Sequence, residues 1–243
     1  MSIFVSRRLL TVLVVTALAG CAGSSQPSVQ PSGSSAMLSE VDRAAGWRSL
    51  FDGQSLSSWR GYKSQQVPTG WNIVDGTVIK PGEAQDLVSR EPYANFEFSL
   101  DWKLAEGGNS GIFYRATEEY EHIYWSGPEY QLLDDAHAPD GRNRLTAAAS
   151  AYGLYAAPAG VVHGANEWNT TRILVQGSHV EHWLNGQKVV EYEFGSPDWK
   201  ARVKASKFGE WPNYGLAKAG YIGIQGDHHG MLALRNLKIR VLP

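Results

Sequence analysis

Three side chains that exchange protons readily fall close together near the middle of this 243-residue chain: Glu129, Asp134 and His137. Two carboxyls and an imidazole, within nine positions of one another, are a plausible start for acid–base chemistry. What they can do depends on which way they face. Alternate residues of a strand point to opposite sides of its sheet. In 111–115, Phe113 and Arg115 share one side while Ile112 and Tyr114 share the other. In 129–132, Glu129 and Gln131 lie opposite Tyr130 and Leu132, and in 221–225 Tyr221 and Gln225 lie opposite Ile222 and Ile224. Each segment offers aliphatics to one side and polar groups to the other, so Arg115, Glu129, Gln131 and Gln225 are expected to line one groove. The same pattern also describes an ordinary solvated face on which Arg115 pairs with Glu129.

Other residues could complete such a site. Tyr124 and Trp125 lie in the connection between two groove strands, whereas Trp59, Trp71, Trp102 and Trp183 sit in strand patterns and are expected in the core. Asn109, in the turn 107–111, serves backbone geometry or hydrogen-bonds a hydroxyl at the groove rim. His137 follows Asp134 and Asp135 in a loop with Pro139 and Gly141, from which its ring reaches the groove or remains at the surface. His228 and His229, alone or with Asp227, invite a metal reading. Adjacent strand residues point oppositely, so both rings could hold one ion only in a bent loop, and a divalent metal is left open.

These residues need a frame that holds them. The chain is 43% hydrophobic and 19% charged, as globular chains are, and its 27 aromatic residues supply flat faces for packing and for stacking on sugars. Its net charge of −2, without a basic tract, lacks the electrostatic footprint of a nucleic-acid partner. One cysteine, Cys21, excludes an intrachain disulfide framework. Residues 71–79 read as a hairpin turning at Asp75-Gly76, and 179–192 as another turning at Asn185-Gly186, both pairs being suited to positive φ. The clearest strand is 96–104, where Phe96, Phe98, Leu100, Trp102 and Leu104 alternate with polar residues. Near the end, Leu232 and Leu234 share one parity and Leu237, Ile239 and Val241 the other, which predicts a bulge at Arg235-Asn236 that keeps both sets inside. Helix signals are weak outside 198–206. The expectation is all-β, a two-sheet antiparallel sandwich in a single domain.

The N-terminus reads as an address. Arg7 and Arg8 precede an apolar run, Leu9 to Leu18, that is short for a membrane span and has the charge order of a secretory signal. It ends in Leu18-Ala19-Gly20-Cys21, which resembles a bacterial lipobox. Residues 1–20 are thus expected to be a lipoprotein signal, 21–45 a lipidated Cys21 with a flexible tether most evident over Ala22 to Met37, and 46–243 the folded domain. In a cell with two membranes, Ala22 lacks the aspartate associated with inner-membrane retention, so the resemblance implies the outer membrane, with the domain facing the periplasm.

An ordered set of short motifs then becomes informative: Leu50-Phe51-Asp52-Gly53 with Leu56 and Trp59, 71–76, 108–112, 129–134, Trp168-Asn169, Asn185-Gly186 and 223–225. In this order they resemble the 3-keto-disaccharide hydrolase family over about Trp47 to Pro243. The resemblance implies a jelly-roll sandwich similar to concanavalin A-like lectins and glucanases, and cleavage of glycosides already oxidised at C3. Such chemistry asks for a base to remove the C2 proton, with Glu129, Asp134 and His137 as candidates, and a cation for the enolate, Arg115 or Lys207. Asn109, Tyr124, Trp125, Gln131, Gln225 and His228 are the further expected substrate contacts. Residues 129–134 also match the spacing of the catalytic strand in retaining lectin-like glucanases, with Gln131 in place of the central aspartate. Glu129 and Asp134 have opposite parity, however, and share a groove only across a bulge. A direct glycosidase and a noncatalytic carbohydrate-binding lipoprotein are the alternative readings.

Overall fold

A computed structural model of the chain describes residues 38–243. The expected signal at 1–20, the expected lipidation at Cys21 and the expected tether over Ala22 to Met37 lie outside the described residues. Thirteen strands are present among them: β1 Arg48–Ser49, β2 Trp59–Gly61, β3 Asn72–Val74, β4 Thr77–Lys80, β5 Leu87–Ser89, β6 Phe96–Leu104, β7 Asn109–Ala116, β8 Glu129–Leu133, β9 Asn169–Gln176, β10 His179–Leu184, β11 Gln187–Glu193, β12 Tyr221–Ile224 and β13 Leu232–Val241. The larger sheet runs β11-β10-β9-β6-β13-β4-β3, with β1 beside β13, and the smaller runs β2-β5-β12-β7-β8. Every pairing is antiparallel, and the architecture is the jelly-roll sandwich.

Period-two patterning makes the sandwich close. Phe96, Phe98, Leu100, Trp102 and Leu104 from the larger sheet and Ile112, Tyr114, Tyr130, Leu132, Ile222 and Ile224 from the smaller share one core, which removes their apolar area from water at about 25 cal/mol per Å². Both hairpins turn as expected, with Asp75 and Gly76 at φ 48° and 70° and Asn185 and Gly186 at 49° and 81°. The C-terminal bulge is present too. Asn236 takes φ 56°, the β13–β6 register shifts between Arg235 and Lys238, and Leu232, Leu234, Leu237 and Ile239 all point inward. Val241 does not, being 55% exposed at the strand's last position.

Trp59, Trp71 and Trp102 are core residues, but Trp183 is not. In β10 the inward side chains are Val180, His182 and Leu184, so Trp183 lies on the outer face beneath the Arg172 guanidinium, 4.1 Å from its ring centre. Two α-helices occur among the described residues, α1 Glu40–Ala44 and α2 Pro197–Ala205. α2 forms where the sequence predicts it, capped by Ser196, whose Oγ accepts from Trp199 N at 3.1 Å, with Pro197 in the first turn. α1 lies within the stretch assigned to the tether. Ser39 caps it and Asp42 pairs with Lys238 of β13 at 2.9 Å.

Candidate functional site

A cavity of about 230 Å³ opens on the outward face of the smaller sheet, away from the shared core. It is smaller than the several hundred Å³ typical of drug-sized ligands, a size suited to one sugar ring. Glu129 and Gln131 project into it from β8, where β7 and β8 pair in unbroken register with Phe113 opposite Glu129 and Gly111 opposite Gln131. Gly111 makes room for the carboxyl. A Cβ there would stand 2.1 Å from Glu129 Oε1, so the Glu129 side chain lies across the bare backbone of β7. Asn109 enters from the start of β7 and Gln225 from the end of β12.

The free side of β8 is covered by a segment whose main chain continues the sheet. Ala149 N donates to Gln131 O at 2.8 Å and Tyr152 N to Glu129 O at 3.0 Å. That pairing brings Tyr152 to the cavity, where its hydroxyl donates to Asp140 Oδ2 at 3.3 Å. Lys207, first residue of the 3-10 turn Lys207–Glu210, supplies a cation, with Nζ 4.6 Å from the Tyr152 ring centre and 6.0 Å from that of Tyr124. These aromatic faces hold an ammonium favourably. Asp227 and His228 come from the loop after β12, which is tied at both ends. Gly226 N donates to Asp86 Oδ1 at 2.7 Å, and the buried Lys80 Nζ donates to His228 O at 2.7 Å.

Burial dominates the electrostatics. Glu129 is 7% exposed and, among the described residues, has no cation in ion-pair contact, so desolvation pushes its carboxyl up to about 8, with Lys207 pulling the other way and Asp227, Asp86 and Asp140 adding to the rise. The Gln131 amide is best satisfied with its nitrogen toward Glu129, donating to Oε1 at 2.9 Å and to Ser110 O at 3.2 Å. Burial likewise pushes Asp86 up to about 7. The Oε1 of Gln225 is buried without any hydrogen-bond partner among the described residues.

Of the residues expected from sequence, Asn109, Tyr124, Glu129, Gln131, Lys207, Gln225 and His228 line this cavity, and four do not. Asp134 and His137 staple a turn: Asp134 Oδ2 pairs with His137 Nδ1 at 2.7 Å and accepts Gly107 N at 2.8 Å. β8 carries no bulge, so Asp134 keeps the opposite parity from Glu129, and the retaining pair on one strand is not assembled. Trp125 stacks on Trp211, with centroids 5.1 Å apart. Arg115 is displaced by a bulge. Gly223 opposes Phe113 and Tyr221 opposes Ala116, leaving β7 one residue longer than β12 between those pairs, and Arg115 takes φ 49°. Its guanidinium swings to the carbonyls of Ala94 and Gly177 instead of toward Glu129.

The two neighbouring histidines diverge, His229 toward Glu83 at 3.1 Å and His228 toward Asp227 at 4.0 Å. Among the described residues one trio, His179, Glu181 and Glu191, brings three ligand atoms within 4.8 Å of one another, on the β10–β11 hairpin, and Lys188 Nζ already bridges its two carboxylates. The cavity residues that sequence reasoning missed are Asp140, Tyr152 and Asp227 as a lining group. Asp140 sits in the Pro139–Gly141 loop noted for His137, whereas Tyr152 follows an Ala- and Ser-rich run with no strand period to orient it.

Residues 46–240 match the family described as a 3-keto-alpha-glucoside-1,2-lyase-like domain. A curated 3-keto-disaccharide hydrolase from Bacteroides thetaiotaomicron is 34% identical over 231 residues, covering 82% of this chain and 79% of that protein. Two crystal structures from Parabacteroides distasonis, each provisionally designated a glycosyl hydrolase, share the fold. One has TM-score 0.80 and 33% identity, covering 85% of this chain and 99% of the other, and the second has TM-score 0.65 and 28% identity, covering 81% and 99%.

Proposed function

The chain belongs to the 3-keto-alpha-glucoside-1,2-lyase-like family, and from that premise we propose that it cleaves 3-keto-glycosides by C2 proton abstraction, elimination and hydration. The observation that carries the reading is Glu129, a buried carboxyl raised to about 8 that opens onto a one-sugar cavity shared with Lys207. An ordinary carboxylate is a weak base, and one raised toward 8 is stronger while still ionised in a useful fraction near neutrality. A C3 ketone makes the neighbouring C2 hydrogen acidic. Glu129 takes that proton, the electron pair moves onto the C3 oxygen as an enolate, and the Lys207 ammonium stabilises the charge. The enolate then re-forms the ketone and expels the C1 oxygen, leaving a C1–C2 double bond. Tyr152 protonates the departing oxygen, its hydroxyl being held by Asp140. Water then adds its hydroxyl to C1 and gives its other proton to the Tyr152 phenolate, while Glu129 returns its proton to C2, so both residues regain their starting state and the sum is one glycoside and one water giving a 3-keto sugar and an alcohol.

The test is incubation of the domain with matched 3-keto and unoxidised glucosides, following aglycone release and exchange of the C2 hydrogen with solvent. Fast release and exchange from the 3-keto substrate alone is the expected result. Equal turnover of both would support a direct glycosidase. Binding without turnover of either, with divalent metals present, would favour a carbohydrate-binding lipoprotein. The proposal extends to a lipid anchor at Cys21 that holds the domain at the outer membrane facing the periplasm, on the strength of Leu18-Ala19-Gly20-Cys21. Recovery of unmodified Cys21 from the membranes of an expressing cell, by mass spectrometry, would overturn that part.

A further inference from the structure

A cavity larger than the one that holds Glu129 lies elsewhere in the fold. About 510 Å³ opens where the Ala94–Asn95, Gly177–Ser178, Phe194–Gly195 and 215–218 segments meet, and Arg115 forms part of its wall. The residue is unusual in two ways. Its backbone is left-handed, at φ 49°, a conformation that strains a non-glycine residue and persists only where the surroundings enforce it. Its side chain carries a full positive charge at 6% exposure. Buried guanidinium groups are normally matched by a carboxylate. Here Nε and Nη2 donate to Ala94 O at 3.0 and 2.8 Å, and Nη2 donates also to Gly177 O at 2.8 Å. All of these acceptors are neutral. Among the described residues Nη1 has no partner, and no carboxylate is in ion-pair contact with the group. Desolvation accordingly pulls the Arg115 pKa down, with only Tyr192 opposing it.

The rest of the cavity says what would balance that charge. Phe194 lies under the guanidinium, 5.3 Å from its ring centre, and Leu216, 58% exposed, extends the apolar wall. Lys218 adds a second cation to the lining, and no lining residue is acidic. We propose that this cavity is a second binding site, for a small organic carboxylate with an apolar or aromatic body, whose carboxylate meets Arg115 and Lys218 while its body lies against Phe194 and Leu216. Apolar walls select against inorganic phosphate, and a cation pair without a local anion selects against neutral analogues. The site is independent of the sugar chemistry, because Arg115 turns away from Glu129 at the β7 bulge.

Isothermal titration of the domain with benzoate, benzyl alcohol and inorganic phosphate tests the proposal. Benzoate is expected to bind at least tenfold more tightly than either control, with affinity falling as salt is raised. Leu216→Asp, which places an anion on the wall at an exposed position, should weaken benzoate at least tenfold and leave glycoside turnover unchanged. Lys218→Met should weaken benzoate less. Arg115 also ties two loops together, so Arg115→Met is informative only alongside a circular dichroism spectrum, and the Leu216 and Lys218 variants stand without it. Benzoate binding no tighter than benzyl alcohol, benzoate binding unaffected by Leu216→Asp, or benzoate binding abolished by Glu129→Gln would each overturn the assignment.

Discussion

Two regions of this sandwich bury titratable groups almost completely, and they end in opposite ways. Between the sheets, His182 is fully buried, with Nδ1 2.9 Å from Ala149 O and Nε2 2.8 Å from the Tyr114 hydroxyl, which lies 2.6 Å from that of Tyr192. A carbonyl can only accept, so Nδ1 carries the proton, Tyr114 donates to Nε2, and Tyr192 donates to Tyr114. Every polar atom of the chain of bonds is satisfied, and desolvation holds the imidazole neutral by pulling it down to about 4. On the outer face Glu129 is desolvated to a comparable degree, yet beside it Gln225 Oε1 has no partner and a cavity stands open. Burial shifts both groups strongly. A displaced pKa is therefore a poor guide to function by itself, and what sets the Glu129 region apart is the unpartnered Gln225 oxygen beside an open cavity.

The sharpest way to break this contrast is Glu129→Gln, which should lower turnover of a 3-keto glucoside by about a hundred- to ten-thousandfold, the range for loss of a general base. In the parent enzyme kcat/KM should rise with pH and level off above about 8, because the base works only when ionised. Stability should move the other way. A carboxyl whose folded pKa lies above its unfolded value near 4.5 stabilises fully below 4.5, and that contribution is lost as pH climbs toward 8. The 2.5 pH units from 4.5 to 7, at about 1.36 kcal/mol each, come to about 3 kcal/mol. Urea unfolding should thus find Glu129→Gln more stable than its parent at pH 8, and equal stability would mean that Glu129 is not desolvated. Gly111→Ala is the next largest change. Its methyl would drive Glu129 out of place at a cost of about a hundredfold in kcat, and freeing the carboxyl toward water should shift the pH profile to the acid side.

In the closed region the expected effect is on stability alone. His182 titrates below its unfolded value near 6.5, so the unfolded chain binds the extra proton first and stability falls as pH drops from 6.5 toward 4. The span of 2.5 units corresponds to about 3 kcal/mol. Glu129 and Asp86 contribute with the opposite sign over the same range, so the measure is the difference in urea stability between parent and His182→Phe at pH 7 and at pH 4.5: the variant should gain on the parent by about 3 kcal/mol as the pH falls, while the pH profile of turnover above pH 6 stays unaltered. A profile that moved with His182→Phe would join the two regions that the structure keeps apart.

The frame was legible because its signals are local. Asp75-Gly76, Asn185-Gly186, the alternation of Phe96 to Leu104 and the parity switch at Asn236 each announce an element within a few residues. The site was legible only where parity survives. Glu129, Gln131 and Gln225 follow their strands into the cavity, whereas Arg115 left it at a bulge that depends on its pairing with β12, a partner more than a hundred residues away. Asp134 illustrates the converse. Its spacing from Glu129 resembled a catalytic pair, but without a bulge in β8 the carboxylate was free to cap Gly107 and bind His137. Tyr152 and Lys207 reach the cavity from irregular segments, where no period in the sequence says which way a side chain turns.

The smallest predicted effect separates the regions most cleanly, because it should improve one property while harming another. Gln225 is 6% exposed, and a buried amide oxygen without a partner costs the fold roughly 1–3 kcal/mol. Gln225→Met keeps the length of the side chain and removes that unsatisfied atom, so the free protein should gain on the order of 1 kcal/mol and unfold about 2–4 °C higher. If the same atom accepts a sugar hydroxyl, the variant loses a bond of about 1 kcal/mol in the complex, and KM should rise about fivefold with kcat little changed. Thermal unfolding and steady-state kinetics on one preparation read both. Higher stability with unchanged KM would mean that Gln225 faces the cavity without touching substrate, and lower stability would mean that its amide has a partner in the free protein after all. A substitution in the closed region has no such divided outcome, since removing any member of the His182 chain leaves its neighbours unsatisfied with or without a ligand.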